Sequence, residues 1–184
     1  MTDFTFYDET DAPEAARPTL ERAKQAMGGE LPNLYRYMAA SPELLEGYQV
    51  LRRLLTETTL SPIEQEVVQL AISFENGCRY CMAAHSMRAD KLELERSEIE
   101  ALRAGRALSN AKLEALRRFA RKMVIDRGHL ADSDIAAFLE AGYSRQTILE
   151  VVLAVGAKTL TNYANHLFGT PLNSFMKAYA WEKP

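Results

Sequence analysis

Apolar residues recur along this chain at intervals of three and four, segment after segment, and no stretch alternates with period two for long enough to make a strand. The pattern predicts an all-α protein, a helical bundle. "PEAARPTLERAKQAMGG" reads as an amphipathic helix stopped by Gly28 and Gly29, with Pro18 delaying its start. "LPNLYRYMAAS" gives a short helix. "SPELLEGYQVLRRLLTET" gives a longer one, with Ser41 as cap and Pro42 in the first position. "SPIEQEVVQLAISFENG" repeats that opening at Ser61 and Pro62, adds a capping box through Glu64, and stops at Asn76-Gly77. A further helix starts near Cys78 and runs towards Asp90.

The second half continues in the same style. Ser97 and Glu100 form a capping-box pattern in "SEIEALRAG". "SNAKLEALRRFARKMVIDRG" puts Leu113, Leu116, Phe119, Ala120, Met123 and Val124 on one stripe, and its Arg117, Arg118, Arg121 and Lys122 read as a solvated face. "DSDIAAFLEAG" is a short helix, "SRQTILEVVLAVGAKTLTNYANHLFG" a long and mostly buried one, and "PLNSFMKAYAW" closes the chain. Laying His85 on His166 reveals a faint internal echo, in which Cys78 falls on Thr159 and Cys81 on Asn162. It suggests two related helical halves, of which only the first kept its chemistry.

Composition narrows the class. The 184 residues are 47% hydrophobic and 26% charged, which suits a soluble globular protein, and the length favours one domain over 1–184 with its motif core at about 60–90. The net charge of −3, without a basic tract, gives nucleic acid no electrostatic footprint. The apolar runs are too short to span a bilayer, and "MTDFTFYDET" lacks the features of a secretory signal. Two cysteines do not make a disulfide framework in a chain of this length. The expected location is the cytoplasm, with no membrane and no nucleic acid as partner.

Those two cysteines fall in "ENGCRYCMAAH". On a helix, Cys81 lies about 60° round from Cys78, and His85 about 40° from Cys81, so all three share a face. Near a helix start, unpaired N–H groups and the macrodipole favour a thiolate, and on that ground Cys78 is the more acidic thiol. A thiolate attacks peroxides and disulfides, and a second thiol one turn away resolves the sulfenic acid that forms. His85, and Glu66 on the preceding helix, are candidate proton carriers. Two other uses stay open. Glu66, Cys78, Cys81 and His85 have ligand chemistry, although structural zinc usually draws on two separated ligand pairs and there is no second pair here. Buried cysteines also serve simply as small core residues. Spacing favours redox chemistry, with no cofactor and no metal.

The arrangement Glu66-x11-Cys78-x2-Cys81-x3-His85, with "LSPIEQEVVQLAISFENGCRYCMAAHS" around it and "NYANHLFGTPLNSF" towards the end, resembles the alkylhydroperoxidase D-like proteins of the carboxymuconolactone decarboxylase superfamily, in particular their peroxidase-related members. The likeness covers most of the chain beyond about residue 30. It implies an all-helical fold, homo-oligomers, and a thiol-dependent peroxidase that takes a hydroperoxide substrate and a thiol reductant, with a dihydrolipoyl type among the options. By this resemblance Cys81 is the attacking sulfur, Cys78 donates a proton and then forms the disulfide, and Glu66 and His85 relay protons. Tyr80 departs from the pattern, because the best-characterised peroxidases carry an additional His there and a phenol is a poor base. The decarboxylase branch lacks the cysteine pair, which makes a lactone decarboxylase the weaker alternative. A non-catalytic helical oligomer whose cysteines sense redox state or hold metal is the other.

The remaining singled-out residues carry less. His166 reads as a hydrogen-bonded core histidine, or else as a site or interface group. His129 reads as a solvated loop residue. Tyr80 is a candidate channel wall, Phe74 and Met82 are core, and Trp181 anchors the tail or an interface.

Overall fold

The computed structural model describes residues 4–184, so the first three residues of the acidic opening lie outside it. Among the described residues there is no strand, in keeping with the all-α expectation. The helices are α1 (Arg17–Ala26), α2 (Asn33–Met38), α3 (Pro42–Thr56), α4 (Pro62–Asn76), α5 (Arg79–Lys91), α6 (Arg96–Arg103), α7 (Ala111–Ile125), α8 (Asp132–Glu140) and α9 (Arg145–Phe168). Short 3-10 segments at Glu14–Ala16 and Ser174–Tyr179 flank the series. No helix is long and apolar enough to cross a membrane.

Capping chemistry sets most of these boundaries. Ser41 Oγ accepts from the Leu44 amide, and Ser61 and Glu64 close a reciprocal capping box at 3.3 and 2.9 Å. Gly77 ends α4 in the left-handed conformation at φ 68°, where a side chain would be strained. The box expected at Ser97 does not form. The cap position of α6 falls two residues earlier, on Glu95, without a side-chain hydrogen bond, and Glu100 faces Arg96 at 3.7 Å. Nor is the cationic stripe of α7 a solvated face. Arg117 is buried and doubly bonded to Glu114 at 2.7 Å, Arg121 pairs with Glu75, and Lys122 reaches Asp134 at 3.0 Å, which leaves Arg118 exposed.

Helix α4 is the central element, and it packs chiefly on α7, α5 and α9. Val67, Val68, Leu70 and Ile72 meet Leu116, Phe119, Val151 and Ala154 in one apolar cluster. A second cluster joins Leu20, Leu34, Met38 and Leu45, from the first three helices, to Cys78, Cys81 and Ala83. The N-terminal helices thus cover the cysteine pair with apolar surface. At the other end Trp181 is buried, and its Nε1 donates to the Arg103 carbonyl at 2.7 Å, fixing the tail. The internal echo does not extend to the helix break. Where α4 and α5 part at Gly77, α9 runs unbroken through Thr159, Asn162 and His166.

Candidate active site

The break between α4 and α5 sets the two sulfurs. Cys78 is the N-cap residue of α5, in extended conformation, and its carbonyl accepts the Met82 amide at 2.9 Å to start the helix. Cys81 follows one turn later. Both are free thiols and both are buried. The Cys81 sulfur receives a hydrogen bond from Asn165 Nδ2 at 3.3 Å and lies 4.0 Å from Thr161 Oγ1. Its hydrogen bond to Cys81, reinforced by burial, pushes the Cys78 thiol far above the usual range. Burial pushes Cys81 up as well, but the bond from Cys78 and the charge of Lys158 outweigh it, so Cys81 stands well below its ordinary value. The helix-dipole argument had made Cys78 the more acidic of the two. As the N-cap it does lie nearest the dipole, but its proton is shared with a neighbour that is better stabilised.

Glu66 and His85 do come together. His85 Nδ1 lies 2.6 Å from Glu66 Oε2, and Arg88 Nε lies 3.1 Å from the other carboxylate oxygen. The far ring nitrogen, Nε2, faces Lys158 Nζ at 2.5 Å. A lysine ammonium can only donate, so Nε2 accepts and Nδ1–H donates to Glu66. The imidazole is therefore neutral. Burial, followed by the Lys158 charge, holds its pKa below the ordinary value. Burial opposes ionisation of Glu66, yet the His85 ring, Arg88 and Lys158 prevail, and the carboxyl stays below its usual range. The chain Glu66–His85–Lys158 thus ends on a buried lysine whose charge favours the Cys81 thiolate.

Helix α9 supplies what the sequence reading passed over. Lys158, Thr161, Asn162 and Asn165 are all buried, and their spacing of three, four and seven puts them on one face. Polar residues at helical spacing in an otherwise apolar helix were the available signal. Asn162 is steered by Asn76 Nδ2, which donates to its Oδ1 at 2.8 Å. His166, one position beyond this face, is exposed and so is not a core histidine. It stands beside exposed Tyr163 and Leu167. Tyr80 is buried, and its hydroxyl donates to Asn173 Oδ1 at 2.8 Å, which ties α5 to the C-terminal segment. Among the described residues no three His, Cys, Asp or Glu side chains are grouped so as to hold a metal ion.

A cavity of about 320 Å³ opens onto this site. Cys81, His85 and Lys158 line its buried end, with Tyr80, Tyr35 and Tyr48 as walls, while Cys78 is not among its lining residues. A larger depression, about 650 Å³, lies elsewhere, between α7 and α9, and touches neither cysteine.

An all-helical protein with a paired buried dithiol beside a lysine–histidine–carboxylate chain is the class that fold and site define. Residues 42–122 match the model of the carboxymuconolactone decarboxylase family. The fold resembles the alkylhydroperoxidase D core of a peroxidase-related protein from Ralstonia eutropha JMP134, with a TM-score of 0.82, 18% identity and 96% of each chain covered. A peroxidase-related protein from Silicibacter sp. TM1040 gives 0.79 at 21% identity, again over 96% of each chain. The debrominase Bmp8, solved with 2,3,4-tribromopyrrole as a cysteine-to-alanine variant, gives 0.79 at 20% identity over 97% of this chain and 96% of its own. A search of curated proteins finds no match. The family match thus spans residues 42–122, and over nearly the whole chain the fold is the all-helical one of these alkylhydroperoxidase D-like structures.

Proposed function

We propose that the protein is a thiol-dependent peroxidase in which Cys81 attacks and Cys78 resolves. The observation that carries this reading is that Cys81 is the sulfur lining the cavity, while it accepts the hydrogen bond of a second thiol and lies near a buried lysine. The Cys81 thiolate attacks the outer oxygen of a hydroperoxide. The O–O bond breaks, Cys81 becomes a sulfenic acid, and the alkoxide leaves as an alcohol after taking a proton. Lys158 and His85, which line the cavity together with Cys81, are placed to supply it, with Glu66 behind the ring. Once Cys81 is oxidised, Cys78 no longer shares its proton with a thiolate. Its sulfur then displaces hydroxide from Cys81, forming the disulfide and water. An external dithiol returns two electrons and two protons, and is itself oxidised to a disulfide.

The test is direct. Reduced protein mixed with cumene hydroperoxide should lose two thiols per chain and yield one equivalent of alcohol, and dithiothreitol should restore both thiols. Cys81→Ser should abolish this. Cys78→Ser should stop at a sulfenic acid on Cys81 that a dimedone-type probe captures. Capture on a Cys78 sulfur in Cys81→Ser at the wild-type rate would reverse the assignment. Two thiols that persist after oxidant treatment would end the redox reading.

The likeness to a debrominase over the whole chain, together with the aromatic cavity wall, favours a second reading on the same dithiol. Two thiols deliver two electrons to a carbon–bromine bond, giving the disulfide, an aryl C–H, bromide and a proton. Release of bromide from 2,3,4-tribromopyrrole by reduced protein, without hydroperoxide turnover, would select it.

A further inference from the structure

The cavity has two unlike ends. At the buried end lie Cys81 and Lys158, 3% and 2% exposed. At the solvent end lie Arg52, Arg88 and Lys91, beside the exposed side chains of Met27 and Phe175. No aspartate or glutamate lines this cavity. Arg88 is committed to Glu66 at 3.1 Å, whereas Arg52 and Lys91 make no ion pair among the described residues. Two uncompensated cations at the mouth of an apolar cavity attract an anion, and the low-dielectric walls concentrate their field. Between the ends the walls are Leu34, Tyr35, Tyr48, Met87 and Met176, which offer apolar and polarisable surface.

Helix α5 provides a ruler. Cys81, Ala84, Arg88 and Lys91 are spaced along one face of it, and all of them line the cavity. At about 1.5 Å per residue, Arg88 lies roughly 10 Å and Lys91 roughly 15 Å along the helix from Cys81. A ligand held at both ends therefore has its reactive group separated from its charge by a stretch of that order.

From this juxtaposition we infer that the site takes an amphiphilic anion: an apolar body with one carboxylate-type headgroup held by Arg52 and Lys91, and its reactive end at Cys81. The inference rests on the thiol-peroxidase reading for the identity of that end, which makes the substrate class a carboxylic acid that carries a hydroperoxide. It adds no step to the chemistry above, since the headgroup remains at the mouth while the O–O bond is cleaved at the sulfur. Neutral hydroperoxides fill the apolar part and leave the two cations unpaired.

Two measurements test it. The first compares the rate of thiol loss from reduced protein with linoleic acid hydroperoxide and with its methyl ester, in low salt. The acid should react about tenfold faster, the lower end of what a partly exposed charged contact contributes, and the preference should shrink as salt is added. The Arg52→Gln/Lys91→Gln double variant should lose the preference. Arg53→Gln, which removes a neighbouring exposed charge outside the cavity, should keep it. The second measurement is calorimetric binding of unreactive decanoate against decanamide, where wild type should favour decanoate and the double variant should not. Equal rates for acid and ester, with equal binding of decanoate and decanamide, would overturn the anion site and leave the peroxidase reading standing. Decanoate binding that depends on Arg52 and Lys91, in a protein whose thiols no hydroperoxide oxidises, would do the opposite. A preference that survives in the double variant would also overturn the assignment to these two cations.

Discussion

At the scale of single residues, the proposed thiol-peroxidase chemistry turns on Lys158, a cation 2% exposed and held in place by the ring it faces. A buried ammonium is tolerated only when it is paired and hydrogen-bonded, and here its acceptor is a neutral imidazole backed by Glu66. Its charge favours the thiolate of Cys81 over the thiol. Lys158→Met should therefore raise the Cys81 pKa, so that reaction with cumene hydroperoxide begins at higher pH. The rising limb of the rate profile should move up by roughly one to three pH units, the usual effect of one nearby opposite charge. Lys158→Arg should restore part of the shift, which a purely structural role would not predict. A rising limb unchanged in Lys158→Met would remove the lysine from the mechanism. Glu66→Gln and His85→Gln should slow turnover by about 10²–10⁴-fold if they carry protons for it.

At the scale of elements, two features hold the site in shape: the α4–α5 break and the loop after α6. Gly105 in that loop has φ 68°, and a β-carbon there would sit 2.2 Å from the end of the Phe74 ring on α4. Phe74 is in turn packed against Trp181, with ring centroids 5.9 Å apart. Gly105→Ala would have to displace this ring in addition to straining the backbone, and overpacking of this kind costs about 1–3 kcal/mol. Urea unfolding should show a lower midpoint with an unchanged slope. A midpoint equal to wild type would mean that the loop relaxes freely. Tyr80, on the first turn of α5, is bound to the C-terminal segment through Asn173. Replacing it with histidine would sacrifice that tie and loosen the cavity wall.

For the whole molecule, two expectations concern assembly and acid stability. Leu149, Val152, Tyr163 and Leu167 stand 49–71% exposed along α9, beside the large apolar depression shared with α7. An apolar face of this extent is suited to a second copy of the chain, and light scattering should give a mass above that of one 20.7 kDa chain. Leu149→Glu with Leu167→Glu should shift the mass towards the single chain, and a wild-type monomer at micromolar concentration would contradict the expectation. On acidification, Glu66 and His85 both have pKa values lower in the folded protein than their ordinary 4.5 and 6.5. The unfolded chain then binds protons before the folded one does, so their contribution is complete above about pH 6.5 and is lost as pH falls through the folded values. Thermal unfolding should show a midpoint that declines below this pH, and Glu66→Gln should flatten the decline.

The helices were legible in the sequence because their signals are local. Ser61 and Glu64 cap a helix whatever else is nearby, Asn76-Gly77 stops one, and apolar spacing marks the buried faces of α4 and α7. The pairing of Glu66 with His85 was legible too, since the helices that carry them are joined by one short turn. The order of acidity of the two cysteines was not, because it depends on which sulfur another element approaches. Lys158 and Asn165 come from a helix some eighty residues further on, and only the packing of α9 against α4 and α5 brings their charge and hydrogen bond to Cys81. The same holds for Arg117, buried by its pairing with Glu114, and for His166, which packing leaves in solvent. Local sequence fixes where helices begin, end and turn their apolar faces. Electrostatics at a buried site depends on inverse distance between groups remote in the chain, and that distance exists only once the helices have packed.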